Sequence, residues 1–222
     1  MLRVLTLATL FPDIMRPRLG PFVERQTLGL AAHPDVELQV IAPIGLPPFP
    51  LSLHPHYRRF SGVPDAEDWK GLRVQRPRFM HLPGSKGRFD AGAITRRLMP
   101  LLKDIRRTFP FDIIDAEFFF PDGPAAIALG GHFGVPVSIK ARGADIHFWG
   151  HNQATAAQVR GAGRAAAGLL AVSEALKADM VRIAMPEERI TVHYTGVDLD
   201  RFTVQDRPKA KSALGVSGPL IV

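Results

Sequence analysis

The stretch that decides the fold is FDIIDAEFFFPDGPAAIALGGHFGVPVSIK, residues 111–140. Residues 113–117 have the length and the apolar start that are typical of a short strand. Residues 123–133 follow with a helical pattern, and residues 137–140 return to an apolar strand pattern. Because two parallel strands need a long crossover, which is usually a helix, this stretch predicts a compact βαβ unit.

The same alternation of short apolar strands and longer helical segments continues on both sides of this unit. It predicts further strands at residues 2–7, 37–42, 72–76, 168–172 and 190–194, and helices at 21–32, 94–109, 153–163 and after residue 173. Such alternation indicates an α/β fold with a mainly parallel sheet and helices on both faces. Pro100 predicts a kink or a break in its helix. The proline-rich residues 43–71 predict a surface excursion without helical or strand period.

The length of 222 residues exceeds one domain of about 150 residues and falls short of two. We expect residues 1–194 to form one domain, and residues 195–222 to form a linker and the start of a second domain. Residues 220–222 resemble the opening of another buried strand, which would be an exposed apolar edge in a complete protein. The sequence therefore predicts a fragment of a longer protein.

Composition excludes several classes of function. The chain has no Cys, which excludes disulfides, iron–sulfur sites and a cysteine nucleophile. Its histidines lack the spacing of a zinc site, and neither G-x-G-x-x-G nor G-x-x-x-x-G-K is present. No apolar run approaches the ~18 residues of a membrane helix, so we expect a soluble, cytoplasmic protein. The net charge of +7 admits nucleic acid, an anionic membrane or a phosphate-bearing ligand as partner.

In an open parallel sheet, ligands bind outside the carboxyl ends of the strands, so the loops there carry the candidate site. The first such loop, residues 8–20, contains Arg16, Arg18 and Gly20 just before a helix. Backbone N–H groups at a helix N-terminus, with a glycine that allows close approach, can bind an anion. The alternative is that Gly20 only serves a turn.

Two carboxylates follow the strand at residues 113–117. Asp122 stands just before Gly-Pro and a helix, which favours a helix cap, so Asp122→Ala is expected to cost roughly 0.5–2 kcal/mol of stability. Glu117 ends an apolar strand, and a buried unpaired carboxylate there would be costly. We therefore expect Glu117 to act on the ligand: Glu117→Gln should fold normally and lower transfer at least about tenfold.

The third and fourth candidates follow later strands. Lys140, Arg142 and Asp145 lie within six residues and could clamp a phosphate or sugar hydroxyls, although a plain Arg142–Asp145 ion pair is the alternative. Ser173 is expected to cap the helix that follows it. The neighbouring backbone N–H groups are then expected to face the ligand.

Five motifs together resemble a known family. They are FP with GPFVERQ at residues 11–26, FDIIDAE with PDG at 111–123, RGADI at 142–146, VS at 172–173, and TGVD with RF at 195–202. Their order and approximate spacing are similar to those of the acceptor-side half of bacterial family-4 retaining glycosyltransferases. That family is built as two Rossmann-like domains facing across a cleft, the GT-B architecture. The resemblance spans essentially the whole chain.

The resemblance implies roles for individual residues. Gly20 matches the glycine that lets the first loop approach the donor diphosphate and the acceptor. Arg142 and Asp145 match an Arg-Gly-Ser/Thr-Asp segment that lines the cleft, with Ala144 replacing the usual hydroxyl residue. Glu117 stands where many relatives carry a histidine that contacts the transferred sugar, and it is a departure from the family's pattern.

The resemblance also implies a function. It predicts the acceptor-side domain of a hexosyltransferase that moves a sugar from a nucleotide-sugar donor to a glycan or lipid-linked acceptor, with retention and without an essential metal or other cofactor. We expect no nucleic-acid partner and no activity of residues 1–222 alone. The alternative is a non-catalytic Rossmann-like module that binds a phosphorylated metabolite.

The helix at residues 91–109 bears on membrane contact. Cations beside its apolar stripe predict a peripheral contact with an anionic membrane, and the alternative is an ordinary solvated face. The cations are Arg96, Arg97, Lys103, Arg106 and Arg107.

Overall fold

The computed structural model describes residues 1–219. Its strands are β1 (Leu2–Leu7), β2 (Val36–Ile41), β3 (Ile44–Leu46), β4 (Ala66–Trp69), β5 (Leu72–Gln75), β6 (Arg78–Met80), β7 (Ile113–Ala116), β8 (Val137–Ala141), β9 (Gly168–Ala171) and β10 (Ile190–Val192). Its helices are α1 (Pro21–Ala31), α2 (Pro55–Arg58), α3 (Asp90–Thr108), α4 (Asp122–Phe133), α5 (Ala156–Ala165), α6 (Glu174–Arg182) and α7 (Arg207–Ala213). The expected strand at residues 220–222 lies outside the described residues.

Eight strands form one sheet in the order β10-β9-β8-β7-β1-β2-β5-β4. All neighbours in it are parallel except the β4–β5 pair, which is antiparallel. The chain starts in the middle at β1, winds outward to one edge through β2 and β5, and then returns to wind outward on the other side. The expected α/β fold with a mainly parallel, Rossmann-like sheet is confirmed.

The two faces of the sheet are covered differently. The main core lies on the face that is packed by α3, α4, α5 and α6, where Leu5, Ile114 and Ile139 of the central strands are buried. A second, smaller core lies under α1 on the opposite face and contains Val23 and Val40. Helices therefore lie on both faces, as expected.

Several short elements differ from the sequence predictions. Residues 43–71, expected to lack regular structure, contain β3, α2 and β4, and β4 pairs with β5. The strand β6 was not predicted either. The predicted helix with Pro100 runs from Asp90 to Thr108 without a break, because proline removes one backbone donor but the buried stripe of α3 still anchors both halves.

Candidate active site

The candidate residues lie where expected, at the carboxyl ends of the parallel strands. Glu117 directly follows β7, Arg142 directly follows β8, and Ser173 follows β9. Neighbouring strands β7, β8 and β9 are in register, so these positions meet at one edge of the sheet. The topology thus brings together groups that are far apart in the sequence.

Glu117 is the centre of a buried ion-pair network. Its side chain is only 2% exposed, and its Oε1 lies 3.4 Å from Nζ of Lys140. The guanidinium of Arg142 pairs with Oε2 of the same carboxylate and donates to the Glu117 carbonyl oxygen at 2.8 Å. The buried carboxylate of Glu117 is therefore paired, and its action on a ligand stays a prediction. Lys140 and Arg142 together face the carboxyl groups of Glu117 and Asp115, so their positive charge is already engaged and the cluster is better suited to sugar hydroxyls than to a further anion.

Asp115 and Ser138 extend the network, and sequence reasoning missed both. The Ser138 hydroxyl donates to Oδ1 of Asp115. Burial, followed by the negative charge of Glu117, raises the pKa of Asp115 to about 6. The two-residue period of a strand could have indicated both residues. Asp115 on β7 lies two residues before Glu117, and Ser138 lies two residues before Lys140 on β8. All four side chains therefore share one face of the sheet.

These side chains line a cavity of about 480 Å³ between α1 and the exposed face of the sheet, here called the sheet-face cavity. Leu2, Val4, Ile113 and Leu170 line its apolar part. Its polar lining consists of Asp115, Glu117, Ser138, Lys140, Gln26 and His193. An apolar cavity with a few convergent polar groups and a carboxyl of raised pKa has the features of a ligand site.

A second cavity of about 480 Å³ lies between the N-terminal half of α1 and residues 193–198, and we call it the upper cavity. Gln26 and His193 line both cavities. Nε2 of Gln26 lies 2.7 Å from Nδ1 of His193, and its Oε1 accepts from Arg142 at 2.9 Å. Gln26 therefore links the first helix, the ion-pair network and the segment after the last strand. No local pattern in the sequence indicates this role.

Gly20 is required by backbone geometry. It precedes α1 with φ 54° and ψ 51°, the left-handed region that favours glycine. A Cβ placed on it would lie 1.9 Å from the carbonyl oxygen of Leu10, which no side chain could accommodate. The turn that was the alternative for Gly20 is therefore present, and the anion site at the start of α1 stays a prediction.

The carboxylate of Asp145 is hydrogen-bonded to backbone amide groups. Asp145 is fully buried, and its carboxylate accepts from the backbone N–H groups of Phe119, Arg142, Gly143 and Ile146. Burial raises its pKa above the ordinary value, against these hydrogen bonds. The alternative of an ion pair between Asp145 and the Arg142 guanidinium is not what the structure has. Asp145 instead positions Arg142 by fixing its main chain, and the ligand contact expected for Asp145 stays a prediction.

The expectation that Asp122 caps its helix is wrong. Asp122 is the first residue of α4, no side-chain hydrogen bond caps that helix, and Oδ2 of Asp122 instead accepts from the backbone N–H of Thr9 at 3.0 Å. The carboxyl is fully buried, its Oδ1 has no hydrogen-bond partner, and burial raises its pKa to about 7. Asp122 therefore ties the first loop to the α4 segment.

The prediction for Ser173 as a helix cap is confirmed. Its side-chain oxygen accepts from the backbone N–H of Leu176 at 3.1 Å, at the start of α6. The adjacent amide groups lie at the same carboxyl edge as Arg142. Their contact with a ligand stays a prediction.

Comparisons with known proteins identify the family to which this fold and these motifs belong. The model of Glycosyltransferase Family 4 matches residues 29–201, which is most of the chain. The chain belongs to glycosyltransferase family 4. The resemblance drawn from the five motifs is thereby confirmed.

Individual relatives place the chain more closely. It is 26% identical over 223 residues to TuaC of Bacillus subtilis (strain 168), which is named as a teichuronic acid biosynthesis glycosyltransferase, and the match covers 99% of this chain and 56% of TuaC. Anabaena Alr3699/HepE in complex with UDP superposes with a TM-score of 0.58 at 13% identity, over 97% of this chain and 50% of that one. The UDP-N-acetylglucosamine 2-epimerase of Rickettsia bellii gives 0.54 at 11%, over 98% and 52%.

These figures separate two conclusions. The structural neighbours are too distant in sequence to show more than the fold, which is the Rossmann-like half of a GT-B architecture. The chain spans about half the length of the relatives that it matches. Within residues 1–219, no helix is both long enough and apolar enough to cross a membrane.

Proposed function

We propose that this chain is the acceptor-side part of a retaining glycosyltransferase, which moves a hexose from a nucleotide-sugar donor to a glycan or lipid-linked acceptor. The observation that supports this best is the match to glycosyltransferase family 4 together with the sheet-face cavity, whose polar lining includes Glu117 and Lys140 at the carboxyl ends of β7 and β8. The name of TuaC supports a role in polysaccharide biosynthesis. The UDP bound to HepE supports a uridine nucleotide in the donor.

The ion-pair network supports a positioning role on this side of the cleft. Lys140 and Arg142 hold Glu117 rigidly, and Glu117 can then accept hydrogen bonds from sugar hydroxyls without a large cost of reorganisation. Lys140 and Arg142 are already paired with Glu117, so other hydrogen-bond donors are needed to stabilise the negative charge on the departing diphosphate. Amide groups at the start of α1 and α6 are the donors that this chain offers.

We propose that the protein also has a second, donor-binding domain beyond this chain, and that residues 195–222 lead towards it. With only one side of the cleft present, water has free access to the transferring centre, so residues 1–222 alone should not turn over a donor. We also propose that transfer needs no metal ion, and that the protein works at the inner face of the membrane, in peripheral contact with it.

The test compares residues 1–222 with the protein expressed from its full reading frame, using a panel of nucleotide sugars and lipid-linked acceptors. We expect transfer by the longer protein only, undiminished by a chelator, with product of the same anomeric configuration as the donor. Inversion would contradict the retaining mechanism, and loss of activity with the chelator would contradict metal independence. Binding of a phosphorylated metabolite without any transfer would favour the non-catalytic module, which Glu117 in place of the family's histidine already favours slightly.

A further inference from the structure

A small projection extends beyond the carboxyl edge of the main sheet. Strand β2 continues into β3 and strand β5 continues into β6, and β3 and β6 pair with each other in parallel. The backbone N–H of His81 donates to the Leu46 carbonyl at 2.9 Å, where both strands end. Residues 47–53 and 81–89 therefore leave this two-stranded sheet at the same end, on the side of the candidate site.

Large apolar side chains are exposed on this projection. Phe49 is 79% exposed, and Leu51 and Leu53 are 53% and 61% exposed. Met80 and Phe89, on the neighbouring segment, are 59% and 53% exposed. We call these five side chains the tip. Large apolar side chains that are exposed on one projection indicate an interaction surface, since their exposure to water does not stabilise the folded chain.

The unpaired charge around the tip is positive, since the nearby carboxylates of Asp65 and Asp90 pair with Arg78 and His81. Residues 43–64 and 77–89 contain no Asp or Glu. Six cations on these segments and on the adjoining part of α3 make no ion pair with any carboxylate within residues 1–219: Arg58, Arg59, Lys86, Arg88, Arg96 and Arg97. The surroundings of the tip therefore complement an anionic partner.

A groove of about 640 Å³ beside Met80 and Phe89 of the tip has both apolar and cationic lining. Met80, Leu82 and Phe89 line it together with the side chains of Arg88 and Arg96. An anionic headgroup in this groove would meet guanidinium groups while its attached hydrocarbon meets the apolar lining. This combination fits an amphiphile better than a fully polar anion.

We propose that the tip docks onto an anionic lipid bilayer, with Phe49, Leu51 and Leu53 in the interfacial layer and the surrounding guanidinium groups on lipid phosphates. Apolar side chains flanked by unpaired cations are what a peripheral membrane surface requires, and the adjoining carboxylate of Asp90 is paired with His81. The inference deepens the proposed function and rests on it for its purpose, since it places the carboxyl edge of the sheet beside the layer in which a lipid-linked acceptor is held.

The proposed membrane surface, the tip, differs from the one expected from the sequence, which was the helix at residues 91–109. The apolar stripe of α3 is buried in the core, with Ile94, Leu98 and Leu102 nearly inaccessible, so that stripe is not available to lipid. Only the arginines at the N-terminal half of α3 take part, because they border the groove. Lys103 and Arg107, on the other half of the same helix, lie outside it.

The test is flotation of residues 1–222 with vesicles of phosphatidylcholine alone or mixed with phosphatidylglycerol. We expect binding to the mixed vesicles only, weakened at high salt. Phe49→Ser/Leu53→Ser and Arg88→Gln/Arg96→Gln should each lower the partition coefficient at least tenfold. The matched controls Leu199→Ser/Val204→Ser and Lys103→Gln/Arg107→Gln should leave it unchanged, with circular dichroism confirming that all variants fold.

A Phe49→Trp variant supplies an independent readout, after subtraction of the Trp69 and Trp149 signal. We expect a blue shift with mixed vesicles and quenching by brominated lipid. Three results would each overturn the proposal. The first is equal binding to both vesicle types, and the second is an equal loss of binding in the two control variants. The third is a dimer in light scattering that Phe49→Ser/Leu53→Ser abolishes, without any binding to vesicles. No substrate is needed, so failure here is distinct from failure of the proposed transferase function.

Discussion

The carboxylate of Asp122 accepts a hydrogen bond from the backbone N–H of Thr9, 3.0 Å away and 113 positions earlier in the chain. This contact joins the loop after β1 to the start of α4. The same loop is held from its other side by Arg76, which is fully buried and donates to the Pro12 carbonyl at 2.6 Å. The loop in front of Gly20 is therefore fixed by side chains of two distant elements.

The first prediction is that Asp122→Ala and Asp122→Asn differ at pH 5. Alanine leaves the buried N–H of Thr9 without its acceptor, which should lower the free energy of unfolding by about 1–3 kcal/mol. Asparagine keeps an acceptor oxygen of the same shape, and at pH 5 the native carboxyl is itself neutral, so its stability should match the native chain. Urea unfolding measures both, and equal losses in the two variants would contradict the role given to the Thr9 contact.

The second prediction concerns pH. The pKa of Asp122 is about 7 in the folded chain and about 4 in the unfolded one, so the folded state keeps a proton that the unfolded state has lost. Stability should therefore fall as pH rises from about 4 to about 7. Asp115, with its pKa raised to about 6, contributes with the same sign up to that pH. Melting temperatures across this range test it: Asp122→Asn should flatten the upper part of the decline, and a flat native profile would refute the prediction.

The third prediction is that Gly20→Ala is destabilising whereas Gly131→Ala is not. Alanine at position 20 would need a left-handed conformation, costing roughly 1–2 kcal/mol, and its Cβ would also collide with the Leu10 carbonyl. Gly131 lies exposed within α4 with no atom near its Cβ position, so alanine there should add roughly 0.5–1 kcal/mol. Melting temperatures of both variants test this prediction. Equal shifts in melting temperature would contradict the roles given to the left-handed φ of Gly20 and to its close contact with Leu10.

The elements that the sequence predicts well are those whose signal is local. The strand period of β7 and β8, the helical stripe of α3 and the cap at Ser173 each depend on a few consecutive residues, and each is present. Strands β3 and β6, with three residues each, are too short to show a period.

The site was predicted in its location and not in its contacts. Adjacency of strands follows from the βαβ pattern, which is why Glu117 and Arg142 lie at the same edge of the sheet, although their ion pair was not expected. Gln26 contacts Arg142 from 116 positions away, and Asp122 contacts Thr9 from 113. Such pairings depend on how loops pack, and nothing in the local sequence encodes them.

The last prediction revises the expected effect of Glu117→Gln. With Lys140 and Arg142 both paired to Glu117 and all three side chains nearly buried, the neutral amide leaves two cations with only the carboxyl group of Asp115 close by in the network. Breaking a buried pair in this way costs about 3–5 kcal/mol, so the variant should unfold at lower denaturant concentration and not fold normally. Lys140→Met removes one of the cations, and the double variant should lose at least about 0.5 kcal/mol less than the sum of the single variants. Asp104→Asn, which removes a carboxylate from the exposed pair with Arg107, is the control and should change the unfolding midpoint far less. Additive losses in the double variant would show that Glu117 and Lys140 do not interact, and the network would then no longer explain how Glu117 is held at the carboxyl edge of the sheet.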